Sequence, residues 1–291
     1  MTFPGMAKGD WNREIIMVSA YGTLNRTCQV GPWGSSGADL VANVYCFLPD
    51  GQPGDSPFTM LLAESGTING RFGFALVEPD PASSADRPDP RFTANSSGGG
   101  VTWTSTGTGV YRVRFADIGR LPGDHFEAAF VSAYGNTPRR CSVWSWGTDT
   151  ADSLVVDVRC FDMSGQPAES PFVIMALDEG RTGLRVGFAW TPDADALTYI
   201  IQDAFEHSTS IGDVVVTHTS TGLYDVVFEG LARTPGAPEL RESVMVTSYK
   251  VSGYCNVREW SLANGHTTAR VGCFAADGTP ADMRFNVLVV E

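Results

Sequence analysis

Charge is scarce in this chain. Only 18% of its 291 residues are Asp, Glu, Lys or Arg, against a quarter or so in ordinary globular domains. Histidine is scarcer still, with four copies, His125, His207, His218 and His266. No stretch approaches the roughly 18 consecutive apolar residues of a membrane span, so none is expected. The start, Met1-Thr2-Phe3-Pro4-Gly5, lacks a basic region followed by an apolar core and does not read as a signal peptide. Export would then rest on a signal upstream or on another route. Signatures of catalysis are missing too: no Gly-x-Ser-x-Gly elbow, His-Glu-x-x-His, P-loop or strand-to-helix Gly-x-Gly-x-x-Gly is present. Ser96-Ser97-Gly98-Gly99-Gly100 precedes a strand rather than a helix, so it reads as a turn and not as a phosphate cradle. No catalytic residue and no cofactor is therefore expected, and the chain is read as a non-enzyme. The charge that exists leans to one sign, 33 acids against 20 bases for a net −13. Such a surface repels phosphate backbones and anionic lipid, which argues against a nucleic-acid partner.

What the chain has is apolar residues at 43%, with 32 Gly and 17 Pro. That combination suits short strands joined by tight turns, in a length that allows two or three domains. It also has a repeat. Val18-Ser19-Ala20-Tyr21, Cys28-Gln29-Val30 with Trp33, and Val44-Tyr45-Cys46-Phe47 return as Val131-Ser132-Ala133-Tyr134, Cys141-Ser142-Val143 with Trp146, and Val158-Arg159-Cys160-Phe161. They return again as Val246-Thr247-Ser248-Tyr249, Cys255-Asn256-Val257 with Trp260, and Val271-Gly272-Cys273-Phe274. A Gly-x-Pro turn and a Phe follow each time: Gly51, Pro53 and Phe58; Gly165, Pro167 and Phe172; Gly278, Pro280 and Phe285. The period is 113 to 114 residues. Between these cysteine halves lies a different, glycine half, present twice. Gly73-Phe74-Ala75 matches Gly187-Phe188-Ala189, and Thr108-Gly109-Val110-Tyr111 matches Thr221-Gly222-Leu223-Tyr224. Residues 3–10 line up with 115–124 across a short gap, as the tail of a further glycine half that was lost, was trimmed away or never existed.

Alternation with period two, as in Tyr111, Val113 and Phe115 against Arg112 and Arg114, predicts strands. About four strands are expected in each half. Residues 196–207 are the best helical stretch, without clean 3.6 periodicity, and residues 78–90 and 230–239 read as surface loops. The fold class is all-β, in tandem four-stranded antiparallel units paired into β-sandwich modules. The alternative makes each unit a propeller blade. The organisation is a partial repeat over 1–68 and full repeats over 69–182 and 183–291. The partial repeat must then pack on its neighbour or on a second chain, which offers a route to an oligomer.

The six cysteines fall in three pairs with 17, 18 and 17 residues between partners. Zinc prefers closely spaced ligand pairs, and the histidines do not recur with these cysteines. Disulfides within each repeat, Cys28–Cys46, Cys141–Cys160 and Cys255–Cys273, are favoured over buried thiols. They imply an oxidising compartment, and each is worth roughly 3 kcal/mol in the chain-entropy model. Loss of one is expected to act mainly on its own repeat. Trp33, Trp146 and Trp260 suit a sugar-stacking platform or a core packed on the cystine, and recurrence favours the core. Tyr21, Tyr134 and Tyr249 are better candidates for exposure and binding. The acids Asp50 and Asp55, Asp162 and Glu169, and Asp277 and Asp282 have too few neighbouring ligands for calcium and read as hairpin turns.

The motifs Cys-x-Val-x-x-Trp, Val-x-Cys-Phe, Gly-x-Pro and Thr-Gly-x-Tyr-x-Val-x-Phe resemble, over nearly the whole chain, tandem repeats in exported proteins of actinobacteria and related soil bacteria. The resemblance implies export and supplies no catalytic residue. Units of that family usually open with the glycine half, from which the start of this chain departs. The resulting expectation is a non-catalytic extracellular binding or adhesion protein with a glycan or a protein surface as ligand. An extracellular hydrolase, or an accessory domain of one, is the competing class, with loop 78–90 as the asymmetric acidic place to look. A structural subunit of a larger assembly is a third.

Overall fold

The computed structural model describes residues 1–7, 13–68, 70–80, 85–119, 127–178, 185–202, 206–210, 212–232 and 242–290. The strands fall into three groups. The first holds β1 (Thr2–Phe3), β2 (Glu14–Ala20), β3 (Thr27–Ser36), β4 (Asp39–Phe47) and β5 (Phe58–Glu64). The second holds β6 (Phe72–Val77), β7 (Ala85–Asp86), β8 (Thr93–Asn95), β9 (Val101–Gly107), β10 (Val110–Phe115), β11 (Glu127–Ala133), β12 (Arg140–Thr148), β13 (Leu154–Phe161) and β14 (Phe172–Asp178). The third holds β15 (Val186–Trp190), β16 (Thr198–Ile200), β17 (Glu206–Ser208), β18 (Val214–Ser220), β19 (Leu223–Phe228), β20 (Ser243–Tyr249), β21 (Tyr254–Ala263), β22 (His266–Phe274) and β23 (Arg284–Val290). A single turn of 3-10 helix, Pro90–Phe92, is the one helical element among the described residues.

Each cysteine half makes four strands, and the two halves share their sheets. In the second module β11-β14-β6-β8 form one sheet, while β12-β13-β10-β9-β7 form the other. The third repeats this as β20-β23-β15-β17 and β21-β22-β19-β18-β16, with its first sheet joined to the second module's outer one at the single parallel pair Val143↔Tyr249. Sharing is why the propeller alternative gives way: a blade would have to be one half alone, yet β6 pairs with β14 and β10 with β13. The modules are sandwiches. Glycine halves carry five short strands rather than four, because the stretches before β9 and β18 break into two-residue and three-residue pieces. Residues 198–200 and 206–208 are strands, not helix, and 203–205 lie outside the described residues, as do 81–84 and 233–239 of the expected loops.

The cystines join Cys28 to Cys46, Cys141 to Cys160 and Cys255 to Cys273. Partners face each other in register across β3–β4, β12–β13 and β21–β22. Non-hydrogen-bonded antiparallel pairs bring Cα atoms close enough for that bond. The Gly-x-Pro turns fold back as bridges Phe47↔Pro53, Phe161↔Pro167 and Phe274↔Pro280.

The modules close a ring, because the same set of contacts between neighbours recurs around three seams. Ser19 Oγ donates to Val246 O (3.1 Å) and accepts from Val246 N (3.0 Å). Ser132 does the same with Val18 (3.0 and 3.3 Å), and Thr247 with Val131 (3.1 and 3.2 Å). Three hydroxyls thus satisfy backbone groups that an apolar side chain would leave orphaned between the inner sheets. Further out, Gly22 N donates to Val257 O, Gly135 N to Val30 O and Lys250 N to Val143 O, at 2.8–3.0 Å.

Candidate functional site

The aromatic residues of the repeat meet at the seams. Trp33 packs edge-on against Tyr134 (5.7 Å between centroids), Trp146 against Tyr249 (5.4 Å) and Trp260 against Tyr21 (5.3 Å). Each tryptophan meets the tyrosine of the next module, and the third meets the first. Tyr249 is buried; the other five are half-buried. The two glycine halves each add a third ring, Phe92 on Trp33 (4.9 Å) and Trp190 on Trp146 (5.8 Å). At the remaining seam no third ring joins the pair among the described residues, and Leu262, two residues beyond Trp260, is 44% exposed.

The acidic turns have a local role. Asp50 Oδ1 accepts Gln52 N (3.0 Å), Asp162 Oδ1 accepts Ser164 N and Gln166 N (2.9 and 3.0 Å), and Asp277 Oδ1 accepts Thr279 N (2.9 Å). The hydroxyls of Ser164 and Thr279 beside them hold the Asp162 and Asp277 carboxyls below the ordinary range. In loop 78–90, Asp89 is bound by Arg91 and caps the 3-10 turn, and Asp86 accepts Arg87 N (2.7 Å). Among the described residues no three His, Cys, Asp or Glu side chains converge as a metal site would.

The second acid of each turn anchors the glycine half. Glu169 takes Gly109 N (3.2 Å) and the Tyr111 hydroxyl, which in turn accepts Ser170 N (3.2 Å). Asp282 takes Gly222 N (2.5 Å) and His218 Nε2 (2.9 Å), while the Tyr224 hydroxyl accepts Met283 N (3.0 Å). Burial pushes both phenols above their ordinary value. The glycines are required: at φ +66° and +69°, an added Cβ would lie 2.4 Å from Cys160 O and 2.5 Å from Cys273 O.

Threefold repetition fails in two places. The first is the axis. Thr27, Arg140 and Tyr254 each precede the first cysteine of a module. Arg140, only 4% exposed, lies over the Tyr254 ring at 4.2 Å and donates to Ala276 O (2.9 Å), Met163 O (3.4 Å) and Pro49 O (3.4 Å). Those carbonyls stand two residues after Phe274, Phe161 and Phe47, one from each module. Burial lowers the Arg140 pKa and pushes the Tyr254 hydroxyl up to about 12. Above the plug opens a depression of about 770 Å³ lined by Arg26, Asp50, Ser164, Asp277 and apolar neighbours.

The second is the first module. Thr2↔Val41 and Phe3↔Leu40 repeat the register Arg114↔Val155 and Phe115↔Leu154, so β1 is the end of a glycine-half strand. Beyond it, nothing described pairs with the outer edge of β4 or with the second edge of β5. The face that a glycine half would cover is half-exposed at Val44, Phe58, Met60 and Leu62. Its counterparts Val158, Phe172, Ile174 and Ala176, and Val271, Phe285, Val287 and Val289, are all 0% exposed. Asp55, at the place of Glu169 and Asp282, is exposed.

No family model, curated protein or solved structure matches the chain. Sequence reasoning favoured a core role for the tryptophans and offered the tyrosines for binding; the structure brings all six together in pairs at the seams. It missed Arg140, for which the only signal was a buried-type position holding three unlike residues in three repeats.

Proposed function

We propose that the chain is a non-catalytic binding or adhesion protein acting outside the cell, with a polypeptide surface as its ligand. The observation that carries this reading is the recurrence of one cystine-bearing module three times around the ring, which sets equivalent surfaces side by side. A polypeptide fits better than a glycan, because the aromatic rings that would stack on a sugar pack against one another at the seams. Three cystines suit an oxidising compartment. Retention of the labelled chain on bacterial cell surfaces before and after protease treatment, with a glycan array alongside, tests it. Retention that protease abolishes, with a silent array, is expected. Glycan binding that survives protease, or hydrolytic turnover of a cell-wall polymer, would contradict it.

A further inference from the structure

We infer that the axis of the ring is a binding site for one chloride-sized monovalent anion, held between Arg140 and Thr27. The site goes beyond the surface-binding reading and does not depend on what the outer faces recognise. Strands β3, β12 and β21 begin at Thr27, Arg140 and Tyr254, each one residue before its cystine. The three modules therefore bring these three side chains into the wall of one cavity of about 60 Å³. The seam residues Ser19, Ser132 and Thr247 stand in the same wall. Roughly 10–15 Å³ of such space admits a water, so the cavity has room for an ion of chloride size.

Charge and spare donors together select an anion. A guanidinium keeps its proton in proteins, so Arg140, 4% exposed, is a buried full positive charge. Its Nη1 donates to Ala276 O and Met163 O and its Nη2 to Pro49 O, all neutral carbonyls, and the Tyr254 ring lies under it. No carboxylate stands in the cavity wall among the described residues. Asp162, the acid whose field reaches Arg140, accepts Ser164 N and Gln166 N in its own turn. A buried cation without a paired anion costs several kcal/mol. Arg140 Nε and the Thr27 hydroxyl, itself 9% exposed, are the two buried side-chain atoms of this wall with no protein partner. Both can donate. The hydroxyls of Ser19, Ser132 and Thr247 already donate to carbonyls, and the Asn256 amide donates to Leu24 O and Arg26 O. A cation would be repelled here, and water would satisfy the donors while leaving the charge uncompensated. The place also explains why the three repeats differ at it: three arginines would crowd three like charges into one cavity.

Melting temperatures of the full chain in sodium gluconate exchanged stepwise for sodium chloride, at constant ionic strength, test the inference. A saturable rise with chloride is expected, because a ligand of the folded state alone adds to its stability. Bromide should replace chloride, and a crystal soaked in bromide should show one anomalous peak within hydrogen-bonding distance of Arg140 Nε and Thr27 Oγ1. Arg140→Met should abolish the chloride dependence. Thr27→Val keeps the cation and removes one donor, so it should weaken the apparent chloride affinity by about fivefold. If the Arg140→Met chain does not fold, the Thr27→Val chain and the bromide peak decide. A melting temperature indifferent to chloride would overturn the inference, and so would a chloride effect that Arg140→Met retains or that Thr27→Val leaves unchanged. A bromide peak without a gain in melting temperature would mark an adventitious ion only and would overturn it too.

Discussion

Tyr21 of the first module lies edge-on against Trp260 of the third, with ring centroids 5.3 Å apart, and so ties the two ends of the chain together. The same pair occurs as Trp33–Tyr134 and Trp146–Tyr249 between consecutive modules. Three sandwiches on a string would need only the latter two.

Closure predicts a measurable coupling. A double-mutant cycle on Tyr21→Ala and Trp260→Ala, followed by urea unfolding, should return about 0.5–1.5 kcal/mol, the range for edge-on aromatic pairs. The cycle on Tyr134 and Trp33 should agree with it. Additive losses at the first pair, with coupling at the second, would mean that the ends do not meet.

The axial plug predicts an asymmetry between two substitutions. Arg140→Ala leaves carbonyls of three modules without a donor and empties a buried volume, at a cost of about 2–4 kcal/mol. Arg140→Met keeps most of the volume and removes a buried cation whose hydrogen-bond partners are neutral carbonyls, so it should cost less than half as much. Equal losses in chemical denaturation would show that charge, not filling, holds the axis.

Alkaline pH should unfold the protein through its phenols. Tyr254 ionises near 12 in the fold and near 10 in an unfolded chain. Tyr111 and Tyr224 are raised as well. Above pH 10 the unfolded state releases protons that the fold retains, so stability is full below pH 10 and falls as pH climbs toward 12. Absorbance of tyrosinate should show an early set of phenols and a late set that appears together with loss of the folded circular-dichroism signal. One titration at ordinary pKa with the fold intact would refute this.

The cystines should differ in reactivity by access. Cys46 is half-buried, whereas Cys160 and Cys273 are 0% and 1% exposed. Graded dithiothreitol followed by alkylation and peptide mapping should open Cys28–Cys46 first. The effect of losing a bridge should also reach the neighbouring module, since β3, β12 and β21 carry both the cystine and the seam tryptophan.

The cysteine half was legible because its pattern is local: period-two alternation, paired cysteines and Gly-x-Pro turns fix four strands and a bridge each time. The sharing of sheets was not. Whether β6 joins a blade of its own half or the sheet of the next half depends on contacts about a hundred residues distant along the chain. Ser19, Ser132 and Thr247 read as ordinary polar residues on a buried strand, and only the approach of another module's backbone gives them partners. Tyr21, Tyr134 and Tyr249 invited a binding role for the same reason, since their partner lies in a different module. The exposed edge was legible in part: the leading fragment was recognised as the tail of a glycine half, and its register on β4 places it there.

Hydrogen–deuterium exchange of this chain tests the central claim, three modules closed into a ring by equivalent seams with the edge of β5 unpaired among the described residues, most directly. Strands Phe58–Glu64, Phe172–Asp178 and Arg284–Val290 occupy the same place in three modules. Among the described residues the second and third are paired on both edges, the first on one. The account predicts that Phe58–Glu64 exchanges its outward amides orders of magnitude faster than the other two, which should be protected alike. Equal protection of all three strands would contradict it.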